Sequence, residues 1–62
     1  MENEIKLARK SAGLTQQSMS DIFGIPKRTI GNWETGVNAP PEWAERLIIE
    51  KLHSIAKENQ SQ

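Results

Sequence analysis

The chain has 62 residues, enough for one small domain that buries only ~60% of the surface its unfolded form exposes. It has no Cys and a single His, His53, so a disulfide framework, a thiolate metal site and a His-based zinc site are excluded; tight helix packing, a second subunit, or both must hold it together. Eight basic residues balance eight acidic ones, which gives none of the basic excess usual in a nucleic-acid binder.

Distribution adds little to that total. From Glu2 to Asn38 five bases stand against four acids, and from Ala39 onward three against four. No run approaches the roughly 18 apolar residues of a membrane span. The opening MENEIKLARK mixes acids with bases and does not read as a signal peptide. The expectation is a soluble cytoplasmic protein with no membrane partner.

Gly13, Gly24 with Pro26, Gly36 and Pro40-Pro41 divide the chain into short segments, each with apolar residues at helical spacing. Ile5, Ala8 and Ala12 form the stripe of helix 1, which Gly13 can end. Thr15 can cap helix 2, whose stripe is Met19, Ile22 and Phe23. Its capping box reads as incomplete, because Ser18 stands where Glu or Gln would reach back. Pro26 suits the first position of helix 3, whose stripe is Ile30 and Trp33. Pro41 starts helix 4, with Glu42 complementing its dipole and Trp43, Ala44, Leu47, Ile48, Leu52 and Ile55 as a longer stripe. Nothing alternates with period two, so no strand is expected. The reading is all-α: a compact bundle of four to five short helices in a domain over residues 1–57, with a frayed polar tail over 58–62. The predicted core is Ile5, Met19, Phe23, Ile30, Trp33, Trp43, Leu47 and Ile48.

Helices 2 and 3 are short and joined by about three residues. Helices below ~12 residues are marginal alone, so each must pack across the other and against helices 1 and 4. Such a crossed pair lets its second helix protrude into a major groove. If Ile30 and Trp33 point inward, Lys27, Arg28, Gly31 and Asn32 lie on or near the outer face. Arg and Lys can pair with guanine O6 and N7, and Asn with adenine N6 and N7. Thr29, Gln16 and Gln17, with the backbone N–H groups at the start of helix 2, can serve phosphates. The plain alternative is an ordinary solvated helix face.

Other constellations carry less. Glu50 and His53, three apart, could begin a two-ligand metal site, but a surface His beside an acid is the commoner arrangement. Trp33 and Trp43 could stack nucleobases; at these helical positions they read as core. No phosphate-binding Gly-rich loop and no Ser-His-Asp set is present, and the sequence suggests neither an enzyme, a cofactor nor a small-molecule substrate.

The ordered string Gly13-Leu14-Thr15-Gln16, Met19, Phe23-Gly24-Ile25, Thr29-Ile30, Trp33-Glu34 and Gly36 resembles the phage repressor/Cro-type (XRE-family) helix-turn-helix. The likeness runs from Ile5 to roughly Leu52, and the tail PPEWAERLIIEKL is similar to small members whose fourth helix opens with paired prolines. The resemblance implies a lambda-repressor-like DNA-binding fold of four or five helices, with helix 3 reading an operator in double-stranded DNA. It implies base reading by Lys27, Arg28 and Asn32, a phosphate contact by Gln16 that can also reach the first bases, and backbone contacts by Thr29, Thr35 and Asn38; Gln17, beside Gln16 at the start of helix 2, is read as a further phosphate contact. It also implies a structural ion pair between Arg9 and Glu34. The chain departs from the pattern in the loop Thr35 to Pro40, which has no Lys or Arg, in Glu42, and in Ala8 where Leu is usual.

The expected function is that of a phage, plasmid or bacterial transcriptional regulator of repressor type. The alternative is a protein-interaction module on the same fold, such as an antitoxin or antirepressor partner. Related proteins commonly bind as dimers to half-sites ~34 Å apart. The stripe Leu52, Ile55 and Ala56 is a candidate homodimer surface and equally a candidate cap on the monomer's own core.

Overall fold

The computed structural model describes residues 3–60. Four helices follow in order: α1 (Glu4–Ser11), α2 (Gln16–Phe23), α3 (Lys27–Thr35) and α4 (Glu42–Gln60). No strand occurs among the described residues.

Each boundary has a local cause. Asn3 caps α1, its Oδ1 accepting from Ile5 N at 2.8 Å. Gly13, at φ +74°, closes α1 with the two crossed bonds of a Schellman motif: Gly13 N to Lys10 O and Leu14 N to Arg9 O. Gly36, at φ +83°, ends α3 in the same way through Gly36 N to Trp33 O and Val37 N to Asn32 O. The capping box of α2, expected to be incomplete, is closed. Thr15 Oγ1 accepts from Ser18 N at 3.0 Å and Ser18 Oγ accepts from Thr15 N at 2.9 Å. A hydroxyl therefore does what a longer Glu or Gln side chain does elsewhere. Pro26 is the N-cap of α3, one residue earlier than expected, its carbonyl accepting from Ile30 N. Pro41 likewise precedes α4 and accepts from Glu45 N.

The core joins all four helices. Ile5, Ala8 and Ala12 of α1, Met19 of α2, Ile30 of α3 and Ile48, Leu52 and Ala56 of α4 are buried. Leu14, Phe23, Ile25, Trp33, Ile49 and Ile55 pack half-buried against them. Ala8, small where a Leu was the expected filler, is itself buried against this cluster.

Two predicted core residues are not in it. Trp43 is 69% exposed and Leu47 58%. Ile48, Leu52 and Ala56, at steps of four, define the inward face of α4. At about 100° per residue, Trp43 lies about 180° round the helix from Leu52. The apolar stripe read from sequence is too wide for one face, and the helix buries only one side of it. The same burial decides the open question about Leu52 and Ala56: both fill the chain's own core. Ile22 of the predicted α2 stripe is also exposed.

The tail expected to fray from Glu58 is helical as far as Gln60; Ser61 and Gln62 lie outside the described residues. Asn59 Nδ2 donates to Ala12 O at 2.9 Å, giving the last turn of α4 a partner at the end of α1. No helix among the described residues is long and apolar enough to cross a membrane.

Candidate nucleic-acid interface

Helix α3 is seated by three inward residues: Ile30, fully buried, the half-buried Trp33 and the carboxylate of Glu34. Asn3 Nδ2 adds a donor to Trp33 O at 3.0 Å, tying the start of α1 to this helix. With that side fixed, helical periodicity puts Gly31, Thr35, Arg28 and Asn32 on the outward arc and Lys27 and Thr29 at its flanks. Lys27 and Arg28 are exposed, and Asn32 and Thr29 are half-exposed. Lys27, Arg28 and Asn32 make no side-chain hydrogen bond or ion pair with any described residue.

Glu34 is the exception on α3, and its charge is compensated. Arg9 Nε donates to Glu34 Oε2 at 2.7 Å and Arg9 Nη2 to Oε1 at 3.1 Å, a forked pair whose side chains are only 11% and 3% exposed. Arg9 Nη1 also donates to Leu14 O at 2.8 Å. The guanidinium thus joins α1, the α1–α2 turn and α3. Burial pushes the Glu34 carboxyl up, but hydrogen bonds from Arg9 and Gln16 and the charges of Arg9 and Lys6 outweigh it, holding the group below its ordinary value of 4.5. It stays ionised at neutral pH, and the uncompensated charges on α3 are then both positive.

Gln16, at the start of α2, donates Nε2 to Glu34 Oε1 at 3.1 Å, which brings its amide beside α3. Gln17 is exposed and donates Nε2 to Asp21 Oδ1 at 3.2 Å along its own helix. Thr35 Oγ1 donates to Gly31 O at 3.0 Å, so its proton is used within α3 and only its lone pairs face outward. Asn38 lies exposed in the loop after α3. Gln16 is therefore held against α3 by Glu34, whereas Gln17 is held on α2 by Asp21.

The groove between α1 and α4 has different electrostatics. Glu4, Glu42, Glu45 and Glu50 line a hollow between α1 and α4 with one base, Arg46, among them. An adjoining hollow is lined by Leu7, Ile49 and His53. Leu7 lies about 160° round α1 from Arg9, the residue that reaches α3. These four acids line the α1–α4 groove, and neither Lys27 nor Arg28 is among its lining residues. Among the described residues no group of three or more His, Cys, Asp or Glu side chains could hold a metal ion.

The model of a helix-turn-helix family matches residues 5–42, more than half of the chain, from the first core residue of α1 to the first residue of α4. No curated protein and no solved structure matches the chain significantly.

Proposed function

Because the chain belongs to the XRE-type helix-turn-helix family, a DNA-binding family, we propose that it binds a specific operator with α3 in the major groove and acts as a repressor-type transcriptional regulator. One observation carries this reading: Arg28 and Asn32, four residues apart and without a side-chain partner among the described residues, share the outward arc of a helix locked from behind by Ile30, Trp33 and the Arg9–Glu34 pair. Arg28 and Lys27 suit guanine O6 and N7, and Asn32 suits adenine N6 and N7. Gln16 reaches the same groove from the start of α2. Thr29, Gln17, Asn38 and the outward lone pairs of Thr35 then lie toward the sugar-phosphate backbone, as do the free N–H groups of the first turn of α2.

The bound form we propose is a homodimer on two half-sites. Leu52 and Ala56 are consumed by the chain's own core. Trp43 and Leu47 remain as two large apolar side chains four residues apart on the outer face of α4, and a second copy meeting them about a two-fold axis would cover both ridges at once.

Selection of bound sequences from a random duplex pool, followed by titration at several salt concentrations, tests the reading. With few bases at the interface, the expected slope of log K against log salt is shallow, no steeper than about −3 per protomer at ~0.9 per neutralised phosphate. An Arg28→Ala protein is expected to lose its preference at one base pair. Unaltered duplex binding by that variant would overturn the assignment.

A further inference from the structure

The chain has four glycines, and three of them, Gly13, Gly24 and Gly36, have positive φ in turns. Gly31 differs. It lies within α3 in ordinary helical conformation, where Gly is less stable than Ala. A methyl group built at Gly31 would meet only Gln16 Oε1, at 4.0 Å, an ordinary van der Waals distance. Neither the backbone nor the packing calls for a glycine here. What remains is clearance on the outward arc, between Lys27 and Arg28.

The atom beside that clearance has a fixed polarity. Glu34 is held ionised by Arg9, and an ionised carboxylate can only accept hydrogen bonds. Gln16 must therefore turn its NH₂ group to Glu34, as it does at 3.1 Å. Its carbonyl oxygen then lies against Gly31. The Arg9–Glu34 pair thus orients Gln16 as well as joining helices.

We infer that Gly31 and Gln16 form a notch in which Gln16 Oε1 is a pre-oriented acceptor for a base with an exocyclic amine in the major groove. This rests on the DNA-binding reading above and adds to it the class of base. Adenine N6 and cytosine N4 are donors there; guanine O6 and N7 and thymine O4 would set acceptor against acceptor. The absent side chain at position 31 lets the base edge approach the helix backbone closely enough to meet that oxygen. Glu34 is in this scheme a positioning residue, and Gln16 and Gly31 are specificity-determining.

The experiment uses the full chain and the duplex it selects from a random pool. Gly31→Ala is expected to unfold at a temperature no lower than the wild type while binding that duplex about tenfold or more weakly. Gln16→Met, which keeps length and removes polarity, is expected to lose selection at one base pair where the wild type selects adenine or cytosine. Replacing that base by purine or 2-pyrimidinone, which lack the amine, is expected to weaken wild-type binding by a similar factor and leave Gln16→Met unaffected. The identity of the selected base distinguishes the two amines. In Glu34→Gln, whose amide can donate or accept, the same position is expected to admit guanine while the Arg28 position keeps its preference.

Wild-type affinity in Gly31→Ala, or guanine or thymine selected at the Gln16 position, overturns the notch. Those results leave the proposed function standing if Arg28→Ala still loses its base preference. Absence of any selected duplex overturns both.

Discussion

Helices α3 and α4 both bury one face and expose the other, yet their exposed faces differ in kind. The outward arc of α3 carries Lys27, Arg28, Asn32 and a glycine; that of α4 carries Trp43 and Leu47. An unpaired Arg on a helix surface costs nothing in water, so α3 can keep its face free without loss of stability. Large apolar side chains are ordinary on a surface one at a time, and two adjacent ones mark a place where burial is still to be gained. The two helices thus separate a polar face suited to a charged ligand from an apolar ridge suited to another protein surface. Substitutions can test that division in order of their expected effect on the fold.

The largest effect belongs to the contact behind α3. Arg9→Ala removes the partner of a carboxylate that is 3% exposed and leaves it stranded. Such losses cost about 3–5 kcal/mol, comparable with the whole stability of a domain this small. Arg9→Ala is expected to show little or no cooperative unfolding by circular dichroism at 25 °C. A melting curve like that of the wild type would make the pair dispensable and loosen the seating of α3.

Within α4 the two sides should differ plainly. Leu52→Ala opens a cavity in the core and is expected to cost about 2–5 kcal/mol. Leu47→Ala, five residues earlier and largely exposed, is expected to change monomer stability by less than about 0.5 kcal/mol. Chemical denaturation of the two variants measures the contrast directly. Equal losses would mean that the outer ridge is packed in solution.

Acid should act through Glu34. Its folded pKa is depressed, so the stability it contributes is fully present above its unfolded value near 4.5. That stability is lost as pH falls from there through the folded pKa. The expected outcome is a melting temperature that is flat from neutral pH to about pH 5 and falls below 4.5. Glu34→Gln, lower at neutral pH, should have a shallower acid limb.

How much of this was legible in the sequence depends on whether one residue or a pattern decided the matter. Gly13 and Gly36 pointed to the ends of α1 and α3, and the Ile30–Trp33 spacing to the orientation of α3, because one residue type at one place has one physical use. The Arg9–Glu34 pair could be anticipated only through the resemblance to known helix-turn-helix proteins, since nothing local joins residues 25 apart. Trp43 and Leu47 were misplaced because α4 has apolar residues on two faces, and composition does not say which face meets the core. Asn3 and Asn59 hold α1 to α3 and α4 to α1, but each looks like any exposed Asn until its partner carbonyl is known. The closed capping box was missed because Ser18 departs from the usual Glu or Gln, although its hydroxyl suffices. Which side chains remain available on the outer face of α3 thus followed from which are spent elsewhere; Thr35, whose hydroxyl is occupied by Gly31 O, could not be judged without coordinates.

On the polar side, Arg28→Ala is expected to leave the melting temperature within a degree or two, since the side chain has no partner among the described residues. It should cost about 1–3 kcal/mol of binding to the selected duplex, with the loss confined to one base-pair position. Lys27→Ala, which removes the second guanine-reading side chain, is expected to lose preference at a different base pair. A titration panel of single-base variants of the duplex separates these outcomes.

The smallest effect on the folded chain, and the most informative about α4, is expected from Leu47→Glu. The position is 58% exposed, so a carboxylate there keeps its water and the monomer's melting temperature should hardly move. In a dimer seamed by Trp43 and Leu47 the same carboxylate would be desolvated and brought close to its symmetry mate, a pairing of like charges in an apolar contact. Sedimentation of the wild type is expected to show dimer at high micromolar concentration and that of Leu47→Glu only monomer. On DNA the variant should keep its affinity for a single half-site and lose the added affinity of two half-sites one helical turn apart, because only the linkage between subunits has been removed. A wild-type chain that stays monomeric both free and on two half-sites would detach the ridge from self-association while leaving the face of α3 untouched, since α3 and the outer face of α4 share no side chain.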